Sequence, residues 1–248
     1  NKHRLLFWIF LGLLYGFAIA IRPTNFIVGL LFLIPVMQIY KGEGIINFAK
    51  TNYFKIFLLF ITSLAILMPQ IIYWKLVTDQ FLYFSYIGET FNFLQPEFFK
   101  VLFSPRKGLF FWTPILLFIF PGFIIMIRKR KVVSIVFLSI IILQLYLVSS
   151  WWAWSYGHSF GHRAFTEFLI FFSIPLGFTV DLFLKIKQKR FKLFIFIFIL
   201  FLLFLNLFQM QQYWRGLITR DGVTWDEYKK IFLQPCIGII DWLRCDWL

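Results

Sequence analysis

Apolar residues run through this chain in long blocks, and the polar residues are gathered into short intervals between them. Blocks at 5–21, 26–40, 56–74, 109–127, 132–150, 165–184 and 191–213 carry few charges and lack the alternation of a half-buried strand. Several approach or exceed the roughly 18 apolar residues that a bilayer crossing requires. Lipid offers backbone groups no partner, so such blocks must be helices; they are too long and too uniform for barrel strands. The pattern predicts an all-α, polytopic membrane protein with seven membrane-embedded helices over 1–213. A polar, Trp-bearing tail over 214–248 follows them.

The interruptions refine this picture. Gly12 and Gly16 are spaced for close packing of the first helix. Arg22-Pro23-Thr24-Asn25 breaks the apolar run, so residues 5–40 read as a hairpin or a tilted pair. Residues 41–55 read as a polar connection, and Pro69 as a kink or an end of the next span. The stretch 75–108 is the longest between spans. It is too aromatic to be disordered, and short interfacial helices are expected in it. A focal turn follows at 151–163, Trp-Trp-Ala-Trp-Ser-Tyr-Gly-His-Ser-Phe-Gly-His-Arg.

Composition agrees with a bilayer. The 248 residues are 60% hydrophobic and include 37 Phe, with a mean hydropathy of +0.80. A water-soluble interior cannot hide that much apolar surface. Lys2 to Ala20 imitates a signal peptide, but Arg22-Pro23 and a second apolar run follow at once, so cleavage is not expected. The net charge of +14 is explained by cytoplasmic retention of Lys and Arg and by anionic lipid, and no nucleic-acid partner is expected. With Lys2/Arg4, 41–55, 128–131 and 185–192 inside, that side holds 14 Lys/Arg against Glu43 and Asp181. The Arg22 turn, the outer-face loop 75–108, the focal turn and the tail then all face outward.

Candidate chemistry lies on that outer side. Arg106 and Lys107 are cations where the topology rule needs none, and a phosphate headgroup suits the planar donor fork of Arg; snorkelling at a helix start is the rival account. Arg163 follows Gly157 and Gly161, which let backbone approach a ligand, and Arg22 is a further candidate. Trp151, Trp154 and Tyr156 offer stacking faces, although aromatics also collect in any interfacial belt. On a helix, His158 and His162 would share one face at metal-ligand spacing, with Glu167 the nearest third ligand; polar turn residues are the plainer reading. A salt bridge from Glu167 to Arg163 is the plain account of that carboxylate. Cys236 and Cys245 are the only cysteines, and an oxidising compartment would let them pair.

Three segments together resemble a family. Leu102-Phe103-Ser104-Pro105-Arg106-Lys107-Gly108-Leu109-Phe110, the Trp-rich turn ending Phe160-Gly161-His162-Arg163, and Arg22-Pro23-Thr24 after a Gly-bearing helix look like bacterial type C glycosyltransferases. These are relatives of the protein O-mannosyltransferases and aminoarabinose transferases. The resemblance implies a multi-pass protein of the bacterial cytoplasmic membrane. It implies a polyprenyl-phosphate-linked sugar as donor and transfer on the outer face to an acceptor that it does not name. In such enzymes an acidic residue of the first external loop acts as base or metal ligand, and a divalent metal stays open here. That carboxylate precedes the Arg-Pro-Thr-like helix, so it is expected upstream of Asn1, in a chain that reads as a C-terminal fragment. Asp79, Glu89 and Glu97 are the substitutes within the chain. Arg106, Lys107, Arg163 and Arg22 would then hold the lipid phosphate, with Trp151, Trp154, Tyr156 and His162 beside the sugar or the first isoprenes. A transporter or flippase of anionic lipid-linked saccharides would use similar outward cations, and a non-catalytic scaffold would need none of this chemistry. Spans nearly free of central charge favour an outer-surface site over a transport path.

Overall fold

The computed structural model describes residues 2–39, 44–84, 86 and 88–234. Cys236, Cys245 and the tail beyond Gln234 lie outside the described residues. In chain order the helices are α1 (Lys2–Ile21), α2 (Leu33–Ile39), α3 (Gly44–Thr78), α4 (Phe98–Phe103), α5 (Leu109–Trp112) and α6 (Ile119–Lys129). Then come α7 (Lys131–Ser150), α8 (Leu169–Leu184), α9 (Lys189–Trp214) and α10 (Trp225–Ile231). Tighter 3-10 turns at Pro23–Phe32, Pro114–Phe118 and Arg163–Phe168 lead into α2, α6 and α8. Among the described residues the fold is helical, with one isolated bridge between Phe91 and Trp151.

Four stretches are long and apolar enough to cross a membrane: Ile46–Thr78, Lys131–Ser150, Arg163–Leu184 and Lys189–Trp214. Leu5–Ile21 and Pro23–Gln38 form shorter apolar helices. The chain divides into two compact units. One is built from the chain up to Glu89 with Arg130–Gln144, the other from Thr90–Lys129 with the chain from Leu145 onward.

In the first unit α1 and α3 run parallel, and the glycines explain their closeness. A Cβ at Gly12 would overlap Leu59 and Thr62, and one at Gly16 would overlap Ser63 and Ile66. The Ser63 hydroxyl reaches the Gly12 carbonyl at 2.8 Å, a polar contact between the two helices. The segment between them returns after Arg22, whose extended backbone (φ −152°) precedes Pro23. Arg22 N still donates to the Ala18 carbonyl at 3.3 Å, and the buried Asn25 amide joins it on the same oxygen at 3.0 Å. The expected polar connection over 41–55 is instead helical from Gly44, with a single non-helical residue at Asn52. Its amide caps Phe48 at 3.1 Å and accepts from Lys55 at 2.8 Å, so local bonds bridge the kink. Pro69 does not end α3, which continues to Thr78.

In the second unit the block at 109–127 is broken rather than one rod. Pro114 has no N–H to continue α5, and it pushes Thr113 out of helical backbone to φ −132°. The Trp112 carbonyl left over accepts from the Asn206 amide of α9 at 2.5 Å. Further along, α6 meets α8 where Gly122 faces the Pro175 carbonyl too closely for any Cβ. The tail as far as Gln234 folds back on α9. Gln212 donates to the carbonyls of Ile231 at 2.8 Å and Gln234 at 2.9 Å, and Gln209 donates to the Tyr228 hydroxyl at 2.7 Å. Ile218, Val223 and Tyr228 cover buried Trp112.

Candidate functional site

The Ser104–Gly108 turn is held from inside and from both neighbours. Gly108 N donates to Ser104 O at 2.7 Å, Arg106 N to the Ser104 hydroxyl at 3.1 Å, and the Trp112 indole to Pro105 O at 2.9 Å. Pro105 and Gly108 are what allow so tight a path, since a Cβ at 108 would overlap Ser104 backbone. The turn sends its two cations opposite ways.

Lys107 points inward and is only 1% exposed. Its ammonium donates to the carbonyls of Ser159 in the focal turn and of Arg220 after α9, with the Tyr213 ring 5.6 Å away. Burial pushes its pKa down from the ordinary 10.5 to about 8; Asp221 opposes this, while Arg106 and Arg163 add to it. Arg106 stays exposed. Its Nε donates to Asp221 O at 3.2 Å, and its guanidinium lies over Trp154 at 6.0 Å.

The focal turn is not a helix. Tyr156, Gly157 and Gly161 all take positive φ, between 55° and 64°. This corrects the helical pairing of the two histidines. His158 is exposed and pairs with Asp221 at 3.1 Å, whereas His162 is buried between the rings of Tyr156 and Phe165. Among the described residues no three His, Cys, Asp or Glu side chains gather as metal ligands. Trp151 packs edge-on against Phe91 at 4.7 Å, and Trp152 is exposed. Arg163 opens the 3-10 turn before α8 and is exposed, so the aromatics do not shield it from water. The shielded cation is Lys107, because the turn it belongs to is covered on two sides.

Beside Arg106 lies an open groove of about 630 Å³ whose walls include Phe99, Phe103, Thr224, Trp225 and Glu227. Lys100, Arg106, Asp221 and Glu227 bring charges of both signs to these apolar rings, so the groove suits an amphiphile whose polar head meets Arg106. Glu227 is committed to the Thr224 end of α10, and that hydrogen bonding holds its carboxyl below the usual range.

The structure therefore brings Arg106, Lys107, Arg163, Trp154, Tyr156, His158 and His162 into one unit. Arg22, Asp79 and Glu89 belong to the other unit. Asp79 pairs with Lys75 at the end of α3, and Glu97 pairs with Lys100 at 2.7 Å beside α4. The residues that sequence reasoning missed are Tyr213, Arg220, Asp221 and Gly222. Nothing local marks them; only Gly222, at φ +96° with no room for a Cβ against the Arg106 carbonyl, had a legible reason to be glycine.

The fold and this cluster define a helical protein with four helices able to cross a bilayer, as in an integral membrane protein. No family model, curated protein or solved structure matches the chain.

Proposed function

We propose that this protein is a membrane glycosyltransferase that takes a sugar from a polyprenyl-phosphate donor on the outer face of a bacterial cytoplasmic membrane, with all seven apolar blocks embedded. The observation that carries the reading is the Ser104–Gly108 turn. It offers the Arg106 guanidinium to an apolar groove while Lys107 pins the turn to the Trp-rich segment. An anionic lipid would lay its first isoprenes along Phe99, Phe103 and Trp225 and its phosphate at Arg106. As the acceptor hydroxyl oxygen bonds to the anomeric carbon and passes its proton to a carboxylate base, the bond to the lipid phosphate breaks. A cation already in place stabilises the charge left on that phosphate. Membrane lipid, donor and a hydroxyl-bearing acceptor are the partners of this reading.

The test uses the purified full-length protein in vesicles with a polyprenyl-phosphate hexose. Parent protein should release free polyprenyl phosphate when a mixture of candidate acceptors is supplied. Arg106→Ala should weaken binding of polyprenyl phosphate about tenfold, the loss of one charge-assisted hydrogen bond. Movement of the donor across the bilayer without release would make the protein a transporter. Unchanged binding by Arg106→Ala would remove the groove from the reading.

A further inference from the structure

The turn Asn92–Gln95 carries its most apolar residues at its corner. Gln95 N donates to Asn92 O at 3.2 Å, which leaves Phe93 and Leu94 as the central pair. Corners of tight turns ordinarily hold Gly, Pro, Asn, Asp or Ser, which suit both the backbone and water. Here Leu94 is 95% exposed, and Phe91, Phe93, Phe98 and Phe99 are exposed around it. The rings pack on one another. Phe91 and Phe93 stack at 5.2 Å with their planes 3° apart, and Phe91 meets Trp151.

Its height is fixed by α7. Asn92 N donates to Ser150 O at 2.6 Å and Glu97 N to Ser149 O at 2.8 Å, satisfying carbonyls that a helix end leaves over. With 20 residues, α7 is about 30 Å long, the thickness of a bilayer's hydrocarbon core. Its last turn therefore falls at the headgroup boundary. The loop then reaches back along the helix. Phe93 and Phe98 pack on Tyr146 at 5.8 and 6.3 Å, and the Tyr146 hydroxyl donates to Phe93 O at 3.1 Å. Tyr146 is one helical turn nearer the middle of α7 than Ser150. Between residues 90 and 99 the only charged side chain is Glu97, and Lys100 neutralises it.

We infer that the loop 91–99 is an interfacial wedge whose partner is the lipid surface of the bilayer itself, with Phe93 and Leu94 seated between the headgroups and the first acyl carbons. Aromatic and aliphatic side chains gain most there when no charge must follow them. The wedge locks α4, and with it the wall of the groove, to the level of the membrane surface. The inference does not depend on the proposed sugar chemistry.

Leu94→Cys tests it, made in full-length protein whose Cys236 and Cys245 are replaced by serine, and labelled with an environment-sensitive fluorophore. The protein is placed in vesicles of phosphatidylethanolamine and phosphatidylglycerol, with or without lipid brominated near the top of the acyl chain. The expected result is a blue-shifted emission that loses most of its intensity to the brominated lipid and little to aqueous iodide. Asp226→Cys, on the exposed face of α10, serves as the contrast and should answer to iodide alone. Quenching of the Leu94 label by iodide and not by lipid would overturn the inference. So would protection from both quenchers, which would mean that protein covers the turn.

Discussion

The Lys107 ammonium donates to the backbone carbonyl of Arg220 at 2.6 Å, although 113 residues of chain separate the two. The same ammonium reaches Ser159, so one side chain joins the Ser104–Gly108 turn, the focal turn and the segment after α9. A lysine used in this way is a strut, not a free ligand for substrate.

Its titration should be visible in stability. Burial holds Lys107 near pH 8, whereas the unfolded chain keeps that proton up to the ordinary 10.5. Below 8 both states are charged, and the cost of burying the charge is fully present. Between these values the unfolded state binds more protons, so the folded state gains as pH rises. The thermal midpoint of the parent, measured against Lys107→Met, should climb from pH 8 toward 10.5. A constant difference across that window would mean that burial does not shift the group.

Two glycines of similar backbone should respond differently to alanine. Gly157 has φ +64° but open space around it, so Gly157→Ala should cost the left-handed penalty alone, about 1–2 kcal/mol. Gly222 has φ +96° and lies against the Arg106 carbonyl. Gly222→Ala adds overpacking to strain, on the order of 3 kcal/mol or more. Thermal unfolding in detergent would rank them, and equal losses would show that the Arg106 contact is not tight.

Arg106 and Arg163, both exposed, should also separate. Arg106 lines the groove, and Arg163 does not. Binding of polyprenyl phosphate should fall about tenfold for Arg106→Ala and less for Arg163→Ala. Arg106→Lys should recover only part of the loss, because it keeps the charge without the fork. A larger loss for Arg163→Ala would move the phosphate to the start of α8.

Orientation can be checked within the second unit. Lys129 lies over Phe178 toward the far end of α8, while Arg163 precedes its start. In intact cells an impermeant thiol reagent should label Arg163→Cys and spare Lys129→Cys and Lys187→Cys. The reverse pattern would put the groove on the cytoplasmic face.

The spans that sequence revealed best are those whose helices need no outside help. Residues 132–150 and 191–213 are uninterrupted apolar runs, and α7 and α9 follow them within two residues at either end. Gly12 and Gly16 likewise announced a close-packing face on α1 through their spacing, although only the structure names α3 as its partner. The break at Thr113–Pro114 was harder to see, because a proline in an apolar run can kink a helix or end it. The partner that decides is Asn206, 94 residues away. For the candidate site, Arg106, Lys107 and Trp154 stood out as charge and aromatics at a membrane edge. Which cation would be buried did not, since that depends on carbonyls at Ser159 and Arg220. Spacing alone suggested paired histidines, but positive φ at Tyr156, Gly157 and Gly161 undid the helix that the spacing assumes.

The Asn206–Trp112 bond bears on the order in which the protein is made. A ribosome delivers Trp112 and Pro114 long before Asn206, and during that interval the Trp112 carbonyl lacks its eventual amide. A buried carbonyl without a donor costs free energy, so α5 and the turn after it reach their final hydrogen bonding only once α9 is in place. A late helix thus completes an early one.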